Sequence, residues 1–199
     1  TLQANSTIED LYGLVGNFKK EAFLEGIIFT RQSVRDRQLL SIQKGKEDLN
    51  KALLVSTQKG DNIGDINIIR ALSESIEPKN LGRIAGDFSP QSQSSMNTLL
   101  FDGDVLRVVK NPNIINVLGE VLNPIAFEYS KKLNIRSAIL NAGGYQDYAD
   151  KRKVYVIKAN GIVQKGNRNI FTKNITLEPG DTIVVPRKII TNSPGIAAL

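Results

Sequence analysis

The chain has 199 residues, which is enough for one large domain or two small ones with a buried core. Its composition, 41% hydrophobic and 23% charged, is that of an ordinary globular protein, and no apolar run approaches the ~20 residues that span a bilayer. Because the sequence has no cysteine and no histidine, disulfides, thiolate metal sites and Ser-His-Asp catalysis are excluded, and the net charge of +6 would tolerate an acidic partner without specifying one.

The first predicted element is a two-turn helix near the amino terminus. Its apolar residues recur at i, i+3, i+4 and i+7 and form one face: Ile8, Leu11, Tyr12 and Val15. Ser6 and Glu9 have the spacing of a capping box at the start of this helix. Gly16-Asn17 follows, and these residue types tolerate the left-handed conformation that ends a helix. The stretch "EAFLEGIIFTR" after it is predicted to be a strand.

A helical insertion is predicted over about 32–76. The stretches "RQSVRDRQLLSIQKGKEDLNKALLV" and "GDINIIRALSESI" both have helical patterns, and Pro78 ends the second of them. A strand is expected in "LGRIAGDF", and "LLFDGDVLRVV" then contains a turn at Gly103-Asp104.

The second half of the chain begins with a predicted hairpin and a helix. Two alternating apolar runs in "NIINVLGEVLNPIAFEY" join around Gly119 and Asn123-Pro124. The helix has Asn134 as its expected N-cap, and its apolar face consists of Ile135, Ala138, Ile139 and Ala142. Gly143-Gly144 comes after this helix, whereas a phosphate-binding loop needs its glycines before one, so we interpret the pair as a helix stop.

Two further turns precede the last strand. A two-residue hairpin turn is predicted at Asn160-Gly161, because both of its positions require positive φ. Pro179-Gly180 suits a tight turn, and the β-branched run Thr182–Val185 after it is predicted to be a strand.

An internal repeat organises these elements. The first helix and its stop recur 127 positions later, so that Gly16 matches Gly143 and Phe18 matches Tyr145. Gly103-Asp104 recurs as Gly180-Asp181 after only 77 positions, which implies an insertion of 50 residues in the first copy. We predict an α+β protein of two tandem β-grasp domains, the first with the helical insertion and without its opening hairpin, and these divide the chain into residues 1–111, 112–189 and a tail, 190–199.

The missing hairpin predicts an unpaired sheet edge near Ile27–Thr30. Exposed strand edges attract further strands, so we expect a neighbouring chain or another segment of this chain to occupy it.

Few carboxylates are candidates for chemistry. Asp102, Asp104 and Asp181 invite a metal hypothesis, but aspartates in turns commonly bond their own backbone, and a calcium loop needs five or six oxygens from one segment. No acid–base pair recurs in both copies among the remaining candidates, Glu9, Asp10 and Glu120, so neither catalysis nor a metal or cofactor is predicted.

Aromatic and basic residues near the helix stops are the candidates for ligand binding. Tyr145, Tyr148 and Phe18 would either stack on sugar rings or cover the end of the core. Lys151 and Arg152 would contact an anion or form a solvated strand edge. Structural turn roles are predicted for Gly16, Gly103, Asp104, Gly143, Gly144, Gly180 and Asp181.

The motifs of the second half resemble a known family. Gly-Glu-Val, then Pro and an aromatic residue, then Ala-Gly-Gly, then Leu-x-x-Gly-Asp-x-Ile-x-Val-Pro follow one another over residues 114–187. This order resembles the soluble-ligand-binding β-grasp (SLBB) domain, and the chain therefore resembles polysaccharide export proteins with tandem SLBB domains, the Wza-like outer-membrane exporters. Residues 1–110 resemble a second copy, in which Val15 and Asn17 stand where the family pattern has Ala and Gly.

The resemblance implies a non-enzymatic component of a capsular or exopolysaccharide export conduit across the bacterial periplasm and outer membrane. It implies a periplasmic protein associated with the outer membrane, a homo-oligomeric ring, and two partners, the exported polysaccharide and an inner-membrane polymerisation and export protein. It also implies that the natural chain continues past Leu199 into an amphipathic helix that crosses the outer membrane. The alternatives are a monomeric β-grasp module for a small soluble ligand and a nucleic-acid-binding protein, and the aromatic content of only 6% disfavours the latter.

Overall fold

The computed structural model of the protein describes residues 3–58, 81–165 and 175–188. These ranges contain both helices and a mixed sheet, which confirms the α+β class. The second helix predicted within the insertion, over 64–76, and the tail 190–199 lie outside the described residues. No helix within the described ranges combines the length and the apolar character needed to cross a bilayer.

Three longer helices, one short helical turn and eight strands follow one another along the described chain. In order they are α1 (Ile8–Val15), β1 (Ala22–Thr30), α2 (Gln32–Gln58), β2 (Arg83–Ile84), α3 (Gln93–Met96), β3 (Val105–Lys110), β4 (Ile114–Gly119), β5 (Ile125–Glu128), α4 (Ile135–Asn141), β6 (Tyr155–Ile157), β7 (Val163–Lys165) and β8 (Thr182–Val185).

The chain forms two compact units. The first consists of Thr1–Asn17 and Ile28–Arg107, and the second of Phe18–Ile27 and Val108–Leu199. The predicted division into tandem β-grasp domains at residues 111–113 stays a prediction, as does the extent of the helical insertion, within which α2 is the described helix.

The second unit contains a five-stranded sheet in the order β5-β4-β8-β6-β7. The two predicted hairpins are present as the antiparallel pairs β4–β5 and β6–β7, and β4 lies parallel to β8 at its centre. Helix α4 buries its predicted apolar face against this sheet, and the core it forms includes Ile115, Val117, Ile135, Ala138, Ile139, Ala142, Ile183 and Val185. Each fully buried Ile or Val contributes about 1.5–3 kcal/mol to folding, so this core holds the unit together.

The other sheet has three strands in the order β2-β1-β3. Phe29 pairs with Ile84 and Thr30 with Arg83, so another segment of the chain does occupy the edge near Thr30, as expected. By the 77-residue repeat β3 corresponds to β8, which has β4 beside it in the second unit, whereas β3 has only β1 as its sheet neighbour among the described strands. Among the described strands, β1 is thus paired on both sides, and the strand without a second neighbour at the corresponding position is β3.

The start of α1 differs from the prediction by one residue. The capping box is formed by Thr7 and Asp10, not by Ser6 and Glu9: the amide of Thr7 donates to the Asp10 carboxylate at 2.8 Å, and the amide of Asp10 donates to the Thr7 hydroxyl at 3.3 Å. The helix begins at Ile8 because burying that residue completely fixes the register, and the Ser6 hydroxyl instead donates to the carbonyl of Gln3.

The apolar face of α1 is also only partly buried. Ile8 is inaccessible, but Val15 at the end of the same stripe is 60% exposed. Its repeat equivalent in the second unit, Ala142, is fully buried and lies beside the β4–β5 connection, where the Asn123 amide donates to the Ala142 carbonyl at 2.9 Å. The described residues of the first unit contain no counterpart of that hairpin, so nothing there covers Val15.

The hairpin β6–β7 has a longer loop than predicted. Gly161 has a φ of +88°, but Asn160 does not have positive φ, so the two-residue turn is wrong. The amide of Gly161 donates to the Lys158 carbonyl, and the amide of Lys158 donates to the Ile162 carbonyl, each at 2.8 Å. This is a three-residue loop in which a turn is followed by a glycine with positive φ, the next most common hairpin connection.

Candidate functional site

The Gly-Gly stop after α4 has the geometry that its sequence predicts. Gly143 and Gly144 have φ values of +87° and +89°. The amide of Gly144 donates to the Ile139 carbonyl at 2.9 Å and that of Gly143 to the Leu140 carbonyl at 3.0 Å, which is the Schellman pattern of a helix carboxyl terminus. Because these amides bond the helix itself, they are not available to a phosphate. Gly16 also ends α1, and its amide donates to the Tyr12 carbonyl, but its φ of +77° and ψ of −146° are not the left-handed helical conformation that was predicted.

The Gly-Gly turn is fastened to the loop between β4 and β5. The amide of Leu122 donates to the Gly144 carbonyl at 3.1 Å, and the Gln146 side chain donates to the Val121 carbonyl at 2.9 Å. Tyr145 forms an isolated β-bridge with Val121. The helix stop therefore orients the segment that carries the candidate tyrosines, because the chain leaves the turn already bonded to a second element.

Replacing Gly143 with valine should lower the melting temperature of the protein. A β-branched residue at this positive φ costs roughly 1–2 kcal/mol, and the added Cβ would lie 2.9 Å from Cβ of Leu122. The matched control is Gly13→Val, at a helical position with nothing within 4 Å of the added Cβ, which should not lower the melting temperature by a comparable amount. Equal melting temperatures for the wild type and Gly143→Val would contradict the assignment.

The two tyrosines after the turn each have a cation over the ring. Lys151 Nζ lies 5.2 Å from the centroid of Tyr145, and the Arg187 guanidinium lies 4.9 Å from that of Tyr148. Tyr145 is half-buried and burial raises its pKa, while the positive charge of Arg136 acts in the opposite direction. Tyr148 is 52% exposed. The exposed part of Tyr148, together with the neighbouring cations, is chemistry that suits the apolar part of a sugar ring and an acidic substituent.

The segment holding Tyr148 is tied to the end of β8. Lys188 donates its amide to the Tyr148 carbonyl at 2.7 Å, and Asp150 donates its amide to the Pro186 carbonyl at 2.7 Å. Arg187 lies between these bonds and bridges Ala149, which is why its guanidinium reaches the tyrosine. Sequence reasoning missed Arg187, because only the pairing of two distant segments brings it there.

The remaining candidates have separate positions. Arg152 is exposed and its amide donates to the Asp150 carboxylate at 3.2 Å. Phe18 is half-buried in the segment between α1 and β1. The structure thus places Lys151 next to Tyr145 and Arg187 next to Tyr148. Ligand binding stays a prediction for the five residues named from the sequence: Phe18, Tyr145, Tyr148, Lys151 and Arg152.

The two turn aspartates bond their own backbone, as predicted, and each also holds a cation. Asp104 accepts the amide of Phe101 at 2.9 Å, and Asp181 accepts that of Glu178 at 2.8 Å. Gly103 and Gly180, just before them, have positive φ and complete tight turns. Within the described residues no cluster of carboxylates could hold a metal ion.

The basic residues that pair with these two aspartates also occupy equivalent positions in the internal repeat. Arg31 lies 2.8 Å from Asp104 and Lys158 lies 2.6 Å from Asp181. Lys158 follows Arg31 by 127 positions, and Asp181 follows Asp104 by 77, the same two offsets that relate the copies. Asp181 is fully buried, and this burial raises its pKa against the opposing effect of the Lys158 hydrogen bond. These carboxylates are structural, and the shared offset of the two cations is the sequence signal that could have found the pairs.

Comparison with known proteins agrees with the motif pattern. Residues 109–168 match the SLBB domain family. Over 90 residues, 45% of this chain, the sequence is 30% identical to two curated Escherichia coli proteins, each named polysialic acid transport protein KpsD. The matched stretch covers only 15% of the length of those relatives. The SLBB resemblance read from the sequence is therefore confirmed for residues 109–168, and the chain is similar to polysaccharide transport proteins, while a tandem arrangement of two such domains stays a prediction.

Proposed function

We propose that the protein is a non-enzymatic component of a capsular or exopolysaccharide export conduit across the bacterial periplasm and outer membrane. The observation that carries the proposal is the similarity to the polysialic acid transport proteins, together with the match of residues 109–168, in the second unit, to the SLBB domain family. The tyrosine and cation surface on that unit supports it, because it suits contact with a sugar polymer.

The conduit would be a ring of copies of this chain that meets an inner-membrane polymerisation and export protein. The second unit exposes apolar side chains beside the Gly-Gly turn, with Leu122 65% and Leu140 62% exposed. Each of these exposed leucines lies beside Gly143 of the hydrogen-bonded turn and is suited to burial against a neighbouring copy. We place one side of the ring contact there.

Deleting the gene in the source bacterium tests the export role. Surface polysaccharide should fall and polymer should accumulate inside the cell, and the wild-type gene should restore export. Unchanged surface polysaccharide in the deletion strain would overturn the proposal. Purified protein that is a monomer and carries a tightly bound small metabolite would instead favour the ligand-binding module.

A pair of leucine variants tests the ring contact separately. Leu122→Asp combined with Leu140→Asp should shift sedimentation toward monomer and fail to restore export. The control is Leu39→Asp combined with Leu40→Asp, which changes two leucines of similar character on α2, 44% and 66% exposed. Assembly lost equally in both double variants, or in neither, would contradict the contact.

A further inference from the structure

A cleft rich in arginine lies in the first unit, where β1 ends and α2 begins. Its volume is about 310 Å³, at the lower end of the range of small-ligand sites and sufficient for one monosaccharide. Strands β2 and β3 supply its other walls. Four of the side chains that line it are arginines: Arg31, Arg35, Arg83 and Arg107.

The charge of this cleft has one sign. No aspartate or glutamate is among the described residues that line it. Arg31 is held by Asp104 and by the carbonyl of Leu99, which lies 2.8 Å from its guanidinium, so its charge is already balanced. Arg35 and Arg107 are exposed and reach the cleft from different elements. Converging cations in a concave site concentrate the positive potential and attract an anion.

The backbone adds to this potential. The cleft includes Thr30, Arg31 and Gln32, which form the junction into the amino terminus of α2, a helix of 27 residues. The amino-terminal end of a helix has a partial positive charge. Burial also lowers the pKa of Arg83, since a partly desolvated guanidinium is costly to keep charged, and a bound anion would offset that cost.

We propose that this cleft binds one acidic monosaccharide unit through its carboxylate, with Arg35, Arg83 and Arg107 as the cationic contacts. The anion assignment rests on the cleft alone, whereas the sugar assignment rests also on the proposed export function. Guanidinium groups match a carboxylate in bidentate geometry, which distinguishes this site from a diffuse basic surface.

Binding of glucuronate, glucose and inorganic phosphate, measured by calorimetry on the full chain, tests the site. Glucuronate should bind, and its affinity should fall as salt is added, because the interaction is a partly exposed charge pair. Glucose, which has the ring without the carboxylate, should bind at least tenfold more weakly. Binding of phosphate but not glucuronate would overturn the sugar assignment, and no binding of either anion would overturn the site. Neither result would alter the export phenotype of the deletion strain, so the two proposals fail separately.

The arginine variants locate the binding. Arg35→Gln combined with Arg107→Gln should weaken glucuronate binding at least about tenfold, because two charge-assisted hydrogen bonds to the carboxylate are lost. Arg37→Gln is the matched control, because Arg37 is exposed on the same helix but does not line the cleft. Both proteins should melt like the wild type, which excludes misfolding. Equal affinity in the double variant and the control would overturn the proposal.

Discussion

Replacing Gly119 with alanine should destabilise the second unit by about 2–5 kcal/mol, the sum of backbone strain and overpacking. The φ of this glycine is +93°, and an added Cβ would lie 2.1 Å from the carbonyl oxygen of Val185. That oxygen belongs to the neighbouring strand β8 and accepts the Glu120 amide at 2.8 Å. The methyl group can therefore be accommodated only if the central pair β4–β8 separates.

Gly144→Ala is the control for this prediction. Gly144 has nearly the same φ, +89°, but an added Cβ would have no atom within 4 Å. The Gly144→Ala variant should lose only about 1–2 kcal/mol of stability, from the strain of a side chain at positive φ. Urea unfolding of both variants isolates the steric part as the difference between them. If the two variants lose the same stability, β4 and β8 do not approach as closely as the structure shows.

The second large effect is expected from Lys158→Met at neutral pH. Lys158 Nζ is 2.6 Å from Asp181, which is fully buried, and it also donates to the Thr176 carbonyl at 3.1 Å. Removing one partner of a buried ion pair typically costs about 3–5 kcal/mol, because the carboxylate of Asp181 then stays buried with backbone amides as its partners but no opposite charge. We expect a loss of that size in chemical unfolding at pH 7.

The pH dependence of this loss has a defined sign. Burial raises the pKa of Asp181, and the hydrogen bond and positive charge of Lys158 lower it. The pKa of Asp181 should therefore be higher in the Lys158→Met variant than in the wild type. A carboxyl whose folded-state pKa is raised adds stability below its unfolded pKa and loses it as the pH rises through the folded value. The Lys158→Met variant should therefore approach the wild type as the pH falls toward the unfolded value of about 4.

Lys153→Met provides the exposed counterpart. Lys153 is 62% exposed and lies 3.3 Å from Asp150, so its pairing should contribute at most about 1 kcal/mol. Its variant should unfold close to the wild type at every pH. A Lys158→Met protein no less stable than Lys153→Met at pH 7 would show that the buried pair is not maintained in solution.

Local chemistry explains what could be predicted of the fold. The hairpin β4–β5, the N-cap at Asn134 and the stop at Gly143-Gly144 each depend on residues within a few positions of one another, and all were correct. The SLBB pattern was recognisable for the same reason, since its motifs are the turns and strand ends of one unit. Register was less predictable: Thr7 rather than Ser6 caps α1 because burial of Ile8 decides where that helix starts.

The sequence indicated the two tyrosines of the candidate site, but not most of the residues that lie next to them. Tyr145 and Tyr148 follow a helix stop, and Lys151 is close enough in the chain to be noticed. Arg187 reaches Tyr148 only because the end of β8 pairs with the segment around Ala149. Candidate residues could therefore be named, while the cations that accompany them depended on a pairing across nearly 40 positions.

The sequence by itself determined the repeat, the α+β class, the turns and the absence of cysteine and histidine chemistry, because composition and short-range spacing are sufficient for each. Only the tertiary structure decided that β4 lies beside β8, that β3 has β1 as its one sheet neighbour among the described strands, and that Lys158 neutralises Asp181. The arginine cleft belongs to this second group, since its arginines are separated by up to 76 positions in the chain. Strand order and charge pairing depend on which distant segments bury their apolar surfaces against one another. The local preferences of the residues do not specify these long-range contacts.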